Sequence, residues 1–437
     1  VIALVVLVLS AFAPYTSVPG LRYEQVAVYG LCALGLARMH WLRSRVDAVG
    51  GLVVMSWAAF AAIGIVGLLT PPHNLSGIVP GGAAAGLDNL VLPLAVMGTT
   101  WTFTVDSRAT LRAVCVALVV AAMANAALAA VSLGHDLTPF LSAFWDNNAA
   151  QQAVAERAGG LGRYTGIVNQ PAEAGELYSI ALLAAVHLLH NQVALLALAG
   201  TVLTVGGVLT VSKIFLLIGL PVGLWQGLVD RRAAGRRVLA AVVVTVGGWV
   251  VVRAGVLPRW SGVDFLTRLF DPTSGAHSAV DLYTAGRFGE RGTLSTAVNA
   301  VLQSSPWFGF GAQGLAVPYD NAWVEAFVVA GVCGALLYTA VLGLLVVAWW
   351  RRRSRFAGGL VLVVIGASMG LPALTANRVA TLAWVLLTLL LFTPTSMPGA
   401  PDEPSDRCRH PLWTARADIA APGGVTVLRR RPGRRRQ

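Results

Sequence analysis

The chain has 437 residues, of which 56% are hydrophobic and only 12% charged, and its mean hydropathy is +0.70. Soluble domains carry about 25% charged residues, so a soluble globular protein is excluded; the four scattered cysteines (Cys32, Cys115, Cys333, Cys408) exclude a disulfide scaffold and offer no metal-ligand spacing. The net charge of +12 comes from Arg and a single lysine, Lys213, and it flanks apolar stretches as topology-setting residues do, which argues against nucleic acid as the partner.

Windows of about 19 residues read as an all-α integral membrane protein with about 12 transmembrane helices. Spans are expected near 1–13, 24–38, 48–69, 87–104, 113–133, 175–190, 193–209, 213–229, 238–254, 321–348, 358–374 and 378–393. The first span begins at Val1 without a methionine. No basic segment precedes it and a second span follows quickly, so a helix that stays in the membrane is expected there, not a cleaved leader.

Charge counting gives the orientation. With a cytoplasmic N-terminus, the short inner loops hold Arg38, Arg43, Arg45, Arg108, Arg112 and two four-Arg clusters at 231–237 and 351–355, thirteen in all. The short outer loops hold three: Arg22, Lys213 and Arg378. The positive-inside rule then puts both termini on the cytoplasmic side. The tail at 394–437, rich in Arg429–Arg431 and Arg434–Arg436, reads as a disordered cytoplasmic segment drawn to anionic membrane lipids.

Two connections, both outer, exceed the length of turns. One is the outer loop 134–174, within helices 1–9 (residues 1–254). The other is an Arg-rich cap at 255–320, a large folded extracytoplasmic loop between helices 9 and 10; helices 10–12 follow at 321–393. The cap carries Trp260, Phe265, Phe270, Trp307, Phe308 and Phe310, too apolar for a disordered segment. From Thr293 to Ser304, Leu294, Val298, Val301 and Leu302 recur at helical spacing up to Pro306, which predicts a helix there. No 20–50-residue repeat and no inverted halves are found, which weakens a transporter reading.

Candidate chemistry gathers at the outer side. Arg253, just before the cap, and Arg259, Arg268, Arg287 and Arg291 within it carry planar donor forks that match phosphate oxygens, although Asp264, Asp271, Asp281 and Glu290 offer ordinary partners in the same loop. Lys213, beside Ser212 at a tight outer turn, is either a snorkelling charge or a phosphate ligand. Asp320, followed by Asn321, is either the helix N-cap of the tenth span or a carboxylate placed to take a proton from a hydroxyl. Glu325, one turn further in, either tunes Asp320 or lines the span. Around Pro171, Arg163, Asn169 and Glu173 form either a re-entrant turn or the polar rim of an outer cavity. There is no phosphate-binding Gly loop, Rossmann glycine pattern or zinc motif, and the seven histidines do not cluster, so no cofactor and no metal is expected.

Four stretches carry a resemblance to a known family. They are Arg163-Tyr164-Thr165-Gly166…Asn169-Gln170-Pro171; Leu209-Thr210-Val211-Ser212-Lys213; Gly286-Arg287 with the helix to Ser305-Pro306-Trp307-Phe308-Gly309-Phe310-Gly311; and Asp320-Asn321-Ala322-Trp323…Ala330-Gly331-Val332-Cys333-Gly334. In this order, with a large late outer loop, they resemble the O-antigen ligase and O-antigen polymerase superfamily of membrane glycosyltransferases. The family commonly has Ser-Arg where this chain has Ser212-Lys213, and ligases often have His where it has Asp320. The resemblance implies a metal-independent enzyme outside the membrane. Its donor would be a polyprenyl-pyrophosphate-linked glycan and its acceptor another glycan or lipid-linked glycan. Lys213, Arg287 and Asp320 would be catalytic, with Arg163, Asn169, Glu173, Arg291, Asn321 and Glu325 binding substrate. The alternatives are a polysaccharide flippase and a peptidoglycan polymerase of the shape, elongation and division class.

Overall fold

The computed structural model describes residues 1–16, 18, 21–38, 47–69, 82–145, 149–228, 260–263, 292–314, 319–375 and 377–393. Outside them lie the expected ninth span, most of the 255–320 cap with Arg287 and Arg291, the arginine cluster at 231–237 and the tail. Among the described residues the protein is helical, with an isolated bridge between Tyr15 and Arg22 and no named strand.

The helices run in chain order as α1 (Ile2–Ser10), α2 (Tyr23–Arg38), α3 (Ala48–Leu69), α4 (Ala83–Phe103) and α5 (Ser107–Val131); then α6 (Thr138–Leu141), α7 (Ala149–Gly160), α8 (Pro171–Leu189), α9 (Val193–Leu209) and α10 (Leu220–Leu228); and finally α11 (Thr293–Ser304), α12 (Ala322–Arg352), α13 (Arg355–Ser368) and α14 (Asn377–Leu387). Four of them, α3, α5, α8 and α12, are long and apolar enough to cross a membrane, and shorter apolar helices surround them. A helix needs about 20 apolar residues to span the hydrocarbon. Met55, Val120, Leu336 and Trp350 are exposed on these helices, as side chains facing lipid would be.

The core is aromatic at its centre. Trp57 of α3 packs edge-on against Trp384 of α14, with ring centroids 5.3 Å apart, and both are fully buried. Each indole N–H is used: Trp57 donates to the Leu90 carbonyl at 2.9 Å and Trp384 to the Leu374 carbonyl at 3.0 Å. A buried indole left without an acceptor would carry a desolvation cost of about 1–3 kcal/mol.

Three local features depart from the sequence reading. The run expected as one span at 213–229 contains a π-helical turn, Phe215–Gly219, and a second π turn, Thr388–Phe392, follows α14. Such wide turns insert where packing forces an extra residue into the helix. The helix over 293–304 is present, but its buried face is Leu294, Ala297, Ala300 and Val301, whereas Leu302 is exposed. That face packs on Val324 and Val328 in the first half of α12.

The largest departure is inside α12. Ala330 and Gly331 leave helical geometry (Gly331 at φ 59°, ψ −151°), so the apparent 31-residue helix is two shorter ones. The freed backbone groups find partners in the segment before α12. The Phe310 and Gly311 N–H groups donate to the Val328 and Val329 carbonyls at 2.7 and 2.9 Å. The Val332 and Cys333 N–H groups donate to the Pro306 and Trp307 carbonyls at 2.9 and 3.3 Å. Irregular backbone is tolerated at depth in a membrane when protein satisfies it in this way. A Cβ on Gly331 would collide with the Trp307 backbone and the Pro306 carbonyl, and its dihedrals belong to a region that is essentially glycine-only.

Candidate active site

Among the described residues, segments from several of the loops expected on the outer side contact one another. Tyr15 donates its backbone N–H to the Ala143 carbonyl at 3.0 Å, Tyr164 to Leu209 at 2.9 Å, and the Trp260 indole to Gly162 at 2.5 Å. Arg378 of α14 reaches the Phe144 and Ile167 carbonyls at 2.6 and 3.5 Å, and its guanidinium lies over the Tyr15 ring at 5.1 Å.

Lys213 stands where the chain restarts its helix after α9. Val211 takes a left-handed conformation at φ 48° to make the turn. The Ser212 carbonyl accepts the first helical hydrogen bond from Leu216 at 3.0 Å, so Lys213 opens a helical run that continues through α10. A helix start carries partial positive charge and exposed N–H groups, which favours an anion there. A half-buried lysine in the first turn adds to that potential. The Ser212 hydroxyl faces away from such a ligand, because it is buried against Gly175 of α8, where a Cβ would collide with it.

Arg163 holds this turn. Its guanidinium donates to the Thr210 and Val211 carbonyls, each at 3.3 Å. The first and second of the four stretches, about 50 residues apart, are therefore joined by Arg163, Tyr164 and Gly175. The third and fourth are joined by the backbone pairing across the break in α12.

Asn321, not Asp320, caps α12. The Asn321 side-chain oxygen accepts from the Trp323 and Val324 N–H groups, both at 3.0 Å, and its amide donates to the Met369 carbonyl at 3.2 Å. This corrects the N-cap expectation for Asp320, which is half-buried one residue earlier. The reason is register: a cap must directly precede the first helical residue, and that residue is Ala322. Glu325 is buried and accepts from the Thr375 hydroxyl and from the Tyr319 backbone, so it ties the approach to Asp320 to the turn before α14. Burial, with the Glu325 charge adding to it, pushes the Tyr319 phenol up to about 12, and its O–H donates to the Gly314 carbonyl at 3.2 Å.

Asn169 and Glu173 do not share a rim with Arg163. Both are buried, and neither lines the cavity of about 390 Å³ that Arg163, Tyr164 and Trp145 border. Glu173 accepts from the Val379 backbone N–H and faces the charges of Arg378, Arg22 and Glu24. A buried carboxylate is tolerated beside such cations and hydrogen-bond donors, and the two arginines supply that need.

Those arginines are the residues that sequence reasoning placed but did not use. Arg22 pairs with Glu24 at 3.2 Å and with Asp88 of α4 at 3.1 Å. Asp88 also accepts from Gln25 at 2.5 Å and from the Tyr29 phenol at 2.8 Å. The signal was available, since Arg22 and Arg378 are two of the three basic residues that break the positive-inside pattern. Among the described residues, no three His, Cys, Asp or Glu side chains converge as a metal ion would require. No family model matches the chain, and no curated protein matches it.

Proposed function

We propose that this protein is a membrane glycosyltransferase that uses a polyprenyl-pyrophosphate-linked glycan outside a bacterial inner membrane, either lengthening a lipid-linked chain or handing it to another glycan or lipid-glycan. The proposal includes about twelve spans, with both termini cytoplasmic. The observation that carries it is Lys213 at a helix start, with Arg163 of another of the four stretches gripping the turn before it.

In the proposed reaction an acceptor hydroxyl attacks the anomeric carbon of the donor. The new bond joins that carbon to the acceptor oxygen, and the bond to the pyrophosphate oxygen breaks. The hydroxyl proton passes to Asp320. The departing pyrophosphate needs charge stabilisation more than a proton, and Lys213 with Arg287 and Arg291 supplies it from oriented donors. A single displacement inverts the anomeric configuration.

Turnover of a polyprenyl-pyrophosphate oligosaccharide by the purified chain in nanodiscs tests the reading. Lys213→Ala should lower the rate by about 10²–10³, the usual cost of one charged donor to a developing anion, in protein that still inserts in the membrane. Lys213→Arg should keep most activity. Asp320→Asn should cost about 10²–10⁴, as loss of a general base does. Wild-type rates in both Lys213→Ala and Asp320→Asn would remove both residues from the chemistry.

A further inference from the structure

The geometry points to a second binding site in the first outer loop: a subsite for an uncharged sugar unit of the glycan, separate from the pyrophosphate position at Lys213. The inference rests on the glycosyl-transfer reading for its ligand. Its site is the open cavity of about 390 Å³ lined by the end of α5, the α6 turn, α7 and the segment 163–166. That volume lies within the range of small-molecule pockets, about 300–1,000 Å³.

The chemistry of the walls selects the ligand. Asp136 and Glu156 bring two carboxylates to the lining. Asp136 is held below the usual carboxylate range by hydrogen bonds from Thr138, whose backbone N–H lies 2.9 Å from its Oδ1, so it remains an acceptor near neutral pH. Among the described lining residues the one arginine is Arg163, whose guanidinium donates to the Thr210 and Val211 carbonyls, and His135 lines the cavity as well. A phosphate or acidic sugar would meet two like charges here, whereas sugar hydroxyls donate well to carboxylates. Trp145 and Tyr164 add aromatic surface, which suits the C–H faces of a sugar ring.

The cavity also touches the proposed centre. Arg163 lines it and at the same time grips the turn that presents Lys213, while Trp260 of the second long loop docks on Gly162 at 2.5 Å. A glycan seated here would lie within one side chain of the anion site. Neutral sugar and anionic leaving group are thus sorted by the sign of the charge that each meets.

Saturation-transfer NMR on the full chain in nanodiscs tests the subsite without needing turnover. The probes are uncharged hexose, N-acetylhexosamine and deoxyhexose oligosaccharides, a sulfated oligosaccharide, and inorganic pyrophosphate as competitor. At least one uncharged probe should bind, the sulfated one at least tenfold more weakly, and pyrophosphate should not compete. Gly160 lines the cavity with open space around its Cβ direction, so Gly160→Trp should abolish the signal with an unchanged melting temperature. Asp136→Asn with Glu156→Gln keeps the shape and should weaken binding by about tenfold. If Gly160→Trp loses its fold, the double variant decides. No signal from any uncharged probe at millimolar concentration, competition by pyrophosphate, or wild-type binding in the variants overturns the proposal. Sugar binding that is lost in Gly160→Trp, in a protein that turns over no lipid-linked donor, would leave the subsite standing and remove the transfer reading.

Discussion

A break inside one helix and a tight turn between two others are secured by opposite means. At Ala330–Gly331 the broken α12 is closed by backbone alone: four hydrogen bonds from the 306–311 segment take up groups that the break releases. At Val211–Lys213 the chain restarts with a cation in its first turn, and a side chain, Arg163, holds the carbonyls of the bend. A broken helix in a transporter presents its loose ends to substrate. Here the break in α12 is filled by protein, and the turn before Lys213 keeps a charged group at a helix start. The first belongs to the scaffold, and the second is the better place for chemistry.

Gly331→Val should break the first arrangement with the largest effect. Valine cannot adopt φ 59°, ψ −151° without strain, and its side chain would displace Trp307 and Pro306 from the gap. Strain of about 1–3 kcal/mol from the backbone, with overpacking of similar size, rivals the total stability of a typical domain, about 5–15 kcal/mol. The expected result is little monodisperse protein on size exclusion. Gly343→Ala is the control on the same helix, since its Cβ direction is open, and it should fold normally. A well-folded Gly331→Val would mean that the break is not a fixed part of the structure.

Arg163→Met should sharpen the second arrangement. It removes two charge-assisted hydrogen bonds, worth about 1.5–3 kcal/mol each at good geometry. At 3.3 Å both are long, so a total loss of about 2 kcal/mol is expected in thermal unfolding. If Arg163 acts by holding the turn, kcat for donor transfer falls while an anion that binds Lys213 still saturates. Were Arg163 a direct donor ligand instead, KM would rise with the melting temperature unchanged.

The sequence made the helices legible where apolar runs are long, because membrane-length burial leaves a continuous signal. Periodicity located α11 as well, since its apolar residues recur on one face. The break in α12 was illegible for a physical reason. Residues 322–350 form one apolar run, and Gly331 differs from Gly334 or Gly343 only through its distant partner at 306–311. The Arg22–Asp88 pair was hidden in the same way, by 66 residues of separation, although Arg22 stood out as an outer arginine. Asn169 and Glu173 read as part of a re-entrant turn or of the polar rim of an outer cavity, and their burial, with Glu173 in the field of Arg378, is a property of the packed fold alone.

The smallest effect concerns a boundary of one residue, at the start of α12. Asp320 and Asn321 are both good capping residues, and sequence cannot rank two neighbours when helix ends are uncertain by a residue or more. The structure gives the cap to Asn321, whose oxygen takes the Trp323 and Val324 N–H groups while its amide holds the Met369 carbonyl. Asn321→Ala should therefore lower stability by about 1 kcal/mol for the cap, and somewhat more for the bond to Met369. Asp320→Ala should lower the melting temperature less than Asn321→Ala does, because it leaves the cap in place. The two variants separate capping from the proposed chemistry at adjacent positions: Asn321→Ala is expected to melt earlier, and Asp320→Ala to lose transfer out of proportion to any change in melting. An Asp320→Ala protein that melts earlier than Asn321→Ala would return the cap to Asp320. Its claim to take the proton would then rest on activity data that stability had already confounded.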